Sequence, residues 1–247
     1  MAKTDDLFSR ILRVGILFAI LSFVVVGCDA PKQTTVPENS PEGRALNHGD
    51  TTEEGTAATV PAAPDAPIVL ALGDSLTAGF GLEISQSYPA ELERILRTKG
   101  YPHKVTNAGV SGDTSAGGLN RTDWLLRQRP DVLILALGSN DGLRGLGVEQ
   151  MRNNLDAIIV KAKAAGAQVL LMSTIAPGNL GKDYTQAFNR VFTDLAKKHG
   201  LTPAPFLLKN VLGVANLNQG DGIHPNAEGA RIVAQNVWNA LEPMLIK

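Results

Sequence analysis

From about residue 68 onward, short solid apolar runs take turns with longer stretches in which apolar residues recur every three or four positions. The runs Ile68-Val69-Leu70-Ala71-Leu72, Val132-Leu133-Ile134-Leu135-Ala136-Leu137 and Gln168-Val169-Leu170-Leu171-Met172 read as strands covered on both faces, since a half-exposed strand would alternate apolar with polar. Lys104-Val105-Thr106 reads as another strand, and a short one near Pro203-Ala204 would make five. The spaced stretches read as amphipathic helices. They are Tyr88 to Lys99, with Leu92, Ile95 and Leu96 on one face and Gly100 closing it; Thr114 to Arg127; Val148 to Ala165, with Met151, Leu155, Ile158 and Ile159 inward; Tyr184 to His199; and Ala227 to Leu245. Strand and helix alternate throughout, which predicts an α/β fold with a parallel sheet and right-handed crossovers. Ligands of such sheets sit beyond the C-terminal ends of the strands.

Before residue 68 the pattern changes twice. Lys3, Arg10 and Arg13 precede an uncharged run from Val14 to Val26, the charged and apolar regions of an export signal. The run is shorter than the ~20 residues of a membrane span. It closes in Val25-Val26-Gly27-Cys28, the only cysteine of the chain. This resembles the lipobox of bacterial lipoproteins, in which the signal is cut before the cysteine and the cysteine is lipidated. The alternative is an uncleaved signal anchor. Both put the remaining chain outside the cytoplasm, and Asp29 after the cysteine resembles the inner-membrane retention signal of enteric bacteria. Residues 30–67 are rich in Pro, Thr, Glu, Ala, Gly and Asn and poor in large apolar side chains; such a segment buries too little surface to offset its ordering entropy and reads as a flexible tether. The expected organisation is a signal peptide over 1–27, a lipidated Cys28 with linker over 28–67, and one globular domain over 68–247.

Composition narrows the chemistry further. Of 247 residues, 44% are hydrophobic and 19% charged, an ordinary globular balance. The net charge is −1 and no long basic run occurs, so nothing points to nucleic acid. One cysteine excludes an intramolecular disulfide and a cysteine-based zinc site.

The predicted strand ends carry the chemistry. Gly73-Asp74-Ser75-Leu76 follows the first strand, the stretch from Asn107 to Asp113 the second, and Gly138-Ser139-Asn140-Asp141-Gly142 the third; Asp221-Gly222-Ile223-His224-Pro225 precedes the last helix. Each alone reads equally well as a turn. Together and in order, they place a nucleophile, a base and oxyanion donors on one edge. A serine needs a base, and His224 is the strongest candidate: His48 lies in the tether, His103 sits beside Pro102, and His199 ends a helix before Gly200. Asp221 can accept from the imidazole and fix its tautomer. The Ser75 and Gly112 amides and the Asn140 side chain can bind an oxyanion.

These blocks resemble those of the SGNH, or GDSL, hydrolases: residues 73–81, 107–115, 138–145 and 221–225. The resemblance covers the whole domain and is strongest to the thioesterase, lysophospholipase and arylesterase members. It implies a three-layer flavodoxin-like fold with a five-stranded parallel sheet. It also implies Ser75 as nucleophile, His224 and Asp221 as its relay, and Ser75, Gly112 and Asn140 as oxyanion hole, with no metal or organic cofactor. One departure is Ser139, where the thioesterases often have glycine; the lipobox and tether are another. No G-x-S-x-G elbow occurs, which separates the chain from the α/β-hydrolases.

The expected reaction is acyl transfer from an ester to water. Leu143, Leu146, Ile175 and Pro177 are the candidate acyl-chain contacts, with packing as the alternative role for the leucines. The expected partners are a small ester or lipid substrate and the membrane through the lipid anchor, with the chain acting as a monomer. A carbohydrate or peptidoglycan O-deacetylase and a non-catalytic binding module are the rival readings.

Overall fold

The computed structural model describes residues 66–203 and 205–245. The expected signal, Cys28 and nearly all of the tether lie outside the described residues. Four parallel strands form the sheet: β1 (Ile68–Gly73), β2 (Lys104–Gly109), β3 (Val132–Ala136) and β4 (Gln168–Leu171), in the order β2-β1-β3-β4. The helices are α1 (Ser75–Ala78), α2 (Tyr88–Thr98), α3 (Ser115–Leu126), α4 (Ser139–Leu143), α5 (Val148–Ala164), α6 (Lys182–His199) and α7 (Ala227–Leu241).

The solid apolar runs are explained by two cores. Along β3, Val132, Ile134 and Ala136 join the core beneath α2 and α7, while Leu133 and Leu135 join the one beneath α3, α5 and α6. Val169 and Leu171, against Leu170 and Met172, repeat the alternation at β4. Both faces are dry, so both sets of alternate side chains are apolar.

The fifth strand is reduced to a single bridge. Ser173 pairs in parallel with Phe206: its N–H donates to the Pro205 carbonyl at 2.8 Å, and Leu207 N–H donates to the Ser173 carbonyl at 3.1 Å. Pro203 and Pro205 have no N–H to offer a ladder, so among the described residues the sheet has four strands rather than five. The last helix also ends earlier than its periodicity suggests. It stops at Leu241, and Pro243 leaves only a 3₁₀ turn, Glu242–Met244. No helix among the described residues is long and apolar enough to cross a membrane.

The strand order sets the position of the crevice. From β1 the chain moves outward to β2, then returns to the other side of β1 for β3. The segments leaving β1 and β3 therefore diverge at their C-terminal ends and open a gap. Those segments are Gly73-Asp74-Ser75 and Gly138-Ser139-Asn140.

Candidate active site

The segment after β1 is a one-turn helix rather than a loop. Asp74 caps it, its Oδ1 accepting from Leu76 N–H at 3.0 Å, as aspartate does at helix starts. Ser75 is the first residue of that turn, so its side chain stands at the crevice edge. Asp74 itself is only 1% exposed, and its Oδ2 has no hydrogen-bond partner. Burial pushes its carboxyl up to about 6, against smaller opposing effects of the Leu76 amide, the Ser139 hydroxyl and His224. At hydrogen-bond distance the Ser139 hydroxyl donates instead to Thr174 Oγ1 (3.2 Å).

His224 and Asp221 arrive on a pinched loop. Asn218 and Pro225 form an antiparallel bridge at its neck, and Gln219 N–H donates to the His224 carbonyl at 2.7 Å. Within it, Asp221 Oδ1 accepts from the backbone N–H groups of Ile223 (2.9 Å) and His224 (3.0 Å). Asp221 Oδ2 lies 2.6 Å from His224 Nδ1, and His224 Nε2 lies 2.8 Å from Ser75 Oγ. The His224 backbone N–H, its ring and the Ile223 N–H hold the Asp221 carboxyl down at about 2. An ionised Asp221 accepts only, so the neutral ring carries its proton on Nδ1 and turns the Nε2 lone pair to the serine hydroxyl.

The oxyanion candidates converge from the other two segments. Gly112 sits at φ +81°, in the left-handed region that favours glycine, and its amide meets no acceptor among the described residues. Its carbonyl accepts from Arg144 Nη2 at 2.7 Å. Asn140, in α4, donates one side-chain N–H to the Asp113 carbonyl at 2.9 Å, and its second N–H meets no acceptor among the described residues. Behind it, Asp141 is buried and accepts from the Ser115 amide (2.8 Å) and hydroxyl (2.6 Å), and Asn154 Nδ2 donates to that hydroxyl at 3.0 Å.

Two hollows flank the relay. Phe80 packs against the His224 ring, centroids 4.7 Å apart, over a narrow pocket that Ser75, Leu76, Leu82 and Tyr88 also line. On the other side a cleft of about 260 Å³ is lined by Leu76, Leu143, Ile175, Pro177, Phe206 and Ile223, among others. The structure thus joins Ser75, His224 and Asp221 in one hydrogen-bonded line, ties Asn140 to Asp113, next to Gly112, and gathers Leu143, Ile175 and Pro177 in the cleft. Leu146 does not line that cleft; its carbonyl accepts from the Tyr184 hydroxyl at 2.8 Å. Sequence reading missed Asp74 and Asp141 as buried partners of the site and Arg121 as a part-buried one. Among the described residues, no group of three His, Cys, Asp or Glu side chains could hold a metal.

A parallel sheet whose switch-point crevice aligns an aspartate, a histidine and a serine beside free amide donors defines a class, that of α/β proteins built on the serine-hydrolase plan. Comparison with known proteins supplies the family. The profile of the GDSL-like Lipase/Acylhydrolase family matches residues 71–232, and the chain belongs to that family. Esterase TesA of Pseudomonas aeruginosa is 42% identical over 181 residues, 73% of this chain and 90% of that protein. Thioesterase 1/protease 1/lysophospholipase L1 of Escherichia coli K12 is 38% identical over 181 residues, 73% of this chain and 86% of its own length. The crystal structure of TesA matches with a TM-score of 0.69 at 42% identity, covering 72% of this chain and 99% of that one. The protein is an enzyme of the GDSL esterase and thioesterase type.

Proposed function

We propose that the protein hydrolyses carboxylic esters of short to medium acyl chains through an acyl-enzyme, with aryl esters, lysophospholipids and thioesters as further substrates. The observation that carries this reading is the line Asp221–His224–Ser75, at 2.6 and 2.8 Å. In this reading His224 Nε2 takes the Ser75 proton as Oγ attacks the carbonyl carbon. The oxyanion is met by the Ser75 and Gly112 amides and the free N–H of Asn140. His224 then protonates the leaving alcohol or thiol, and afterwards takes a proton from the water that attacks the acyl-serine. The acyl chain lies in the cleft against Leu143, Ile175 and Pro177, whose apolar walls enclose about 260 Å³.

The test is hydrolysis of p-nitrophenyl esters from acetate to palmitate, with Ser75→Ala in parallel. Turnover that peaks above acetate and falls by roughly 10⁴-fold or more in the folded variant supports the proposal. Turnover on acetate alone would move the assignment to an O-deacetylase, and none at all would leave a binding module. We also propose that the enzyme works outside the cytoplasm, held by a lipid on Cys28. The sequence pattern before residue 28 supports this, and labelling with radioactive palmitate, present in the native chain and lost in Cys28→Ala, would test it.

A further inference from the structure

We infer that Arg121 is a positioning residue that holds the nucleophile turn and the oxyanion-binding segment in one register. The inference rests on the esterase reading above and extends it to a residue outside the four motif blocks. Arg121 lies on α3 with its side chain 21% exposed. Its guanidinium donates to three separate segments: Nη2 to the Gly73 carbonyl (2.9 Å), Nη1 to the Ala108 carbonyl (2.6 Å) and Nε to Asp113 Oδ2 (2.8 Å). Gly73 ends β1, and its carbonyl belongs to the peptide leading into Asp74 and Ser75. Ala108 lies at the end of β2, where the chain turns toward Gly112. A planar fork of fixed donors can span these acceptors, whereas the single ammonium of a lysine cannot.

Asp113 passes the constraint on. Its carboxylate is held by Arg121, while its own carbonyl accepts the N–H that orients the Asn140 amide (2.9 Å). The contact needs a bare helix surface between the two: a Cβ at Gly117 would lie 1.7 Å from Asp113 Oδ1. Gly117 and Arg121, four apart, share one face of α3, and Asp113, two residues before that helix starts, folds back against it. The same chain of contacts therefore fixes the peptide before the nucleophile and the side chain that meets the oxyanion.

The experiment compares Arg121→Lys, Asp113→Asn and the double variant with the native chain. Thermal unfolding, kcat and KM on a p-nitrophenyl ester, and the NMR resonances of the Asn140 side-chain amide are measured. Both single variants should remain folded at the assay temperature. Loss of a whole oxyanion donor costs ~10²–10³ in rate, so its displacement should lower kcat about 10- to 100-fold, with KM within about threefold. The Asn140 signals should shift, and the double variant should be no slower than the slower single one, because the two residues act as a unit. A folded Arg121→Lys with kcat within about twofold of native, a loss confined to KM, or additive losses would overturn the inference. If the native chain lacks Ser75-dependent turnover, the esterase reading fails on its own. The Asn140 resonances then decide: a shift in both variants keeps the positioning role, and unmoved signals end it.

Discussion

Two neighbouring parts of the strand-end face are held in opposite ways. Beneath Ser75 and Asn140, polar groups are tied: the part-buried Asp113 to Arg121, and the buried Asp141 to Ser115 and Ser115 to Asn154. Beside them, the cleft is walled by apolar side chains that stand half in solvent, Leu143 at 54% and Ile175 at 48% exposed. The difference follows from what each part must do. Reacting groups have to be kept within about 0.5 Å, which takes directional bonds between fixed partners. Sorting acyl chains depends on apolar area, which needs no such partners and is left open to water until a substrate covers it.

The contrast breaks most visibly at the relay. Asp221→Asn keeps the size of the side chain but lets the ring adopt the other tautomer, and kcat should fall by about 10⁴-fold. Asp221 is exposed, so the unfolding temperature should hardly move; steady-state kinetics and thermal unfolding on one preparation check both. A loss of less than about tenfold would mean that the hydrogen-bonded line is not what activates Ser75.

Asp74 sharpens the contrast through pH. Its carboxyl sits at about 6 in the folded chain against 3.8 as the ordinary value. Between those values the folded state keeps a proton that the unfolded state has released, so stability falls as pH rises, by up to roughly 3 kcal/mol. Asp74→Asn retains an acceptor for the Leu76 amide and removes the titration. Urea unfolding at a series of pH values should show that decline in the native chain and a flatter line in the variant. Equal slopes would show that Asp74 does not titrate in this window.

The smallest effects are expected in the cleft. Leu143→Ala and Ile175→Ala should each lower kcat/KM for an octanoate ester about 5- to 30-fold while acetate turnover stays within about twofold. Stability should be nearly unchanged, since both side chains are already half exposed. Equal losses on octanoate and acetate would assign these residues to the frame of the site rather than to the acyl chain.

The correspondence between sequence and structure follows the same division. Solid apolar runs and spaced apolar stretches are local signals, and they located β1, β3, β4 and the long helices to within a few residues. The segments after β1 and β3 read as glycine-rich turns but fold as the short helices α1 and α4, because Asp74 caps one and Gly138, at φ +117°, opens the other. The stretch Asn107-Ala108-Gly109 reads as loop yet completes β2, pairing with Ala71, Leu72 and Gly73. The fifth strand fails where prolines remove the donors. Leu143 and Leu146 looked equivalent in sequence; α4 ends at Leu143 and Gly145 turns the chain at φ +60°, and Leu143 alone of the two lines the cleft.

By itself the sequence determined the α/β class, the residues able to carry acyl-transfer chemistry and their order along the chain, because periodicity and short motifs are properties of neighbouring residues. Which of those residues meet was decided by the sheet order β2-β1-β3-β4, which opens the gap between β1 and β3. Tertiary packing also decided the rest: that Phe80 packs against the His224 ring, that Asp74 is buried beside Ser75, and that Arg121 reaches Gly73, 48 positions away in the chain. Contacts across that separation depend on how the helices are laid over the sheet, and no local pattern in the chain encodes them.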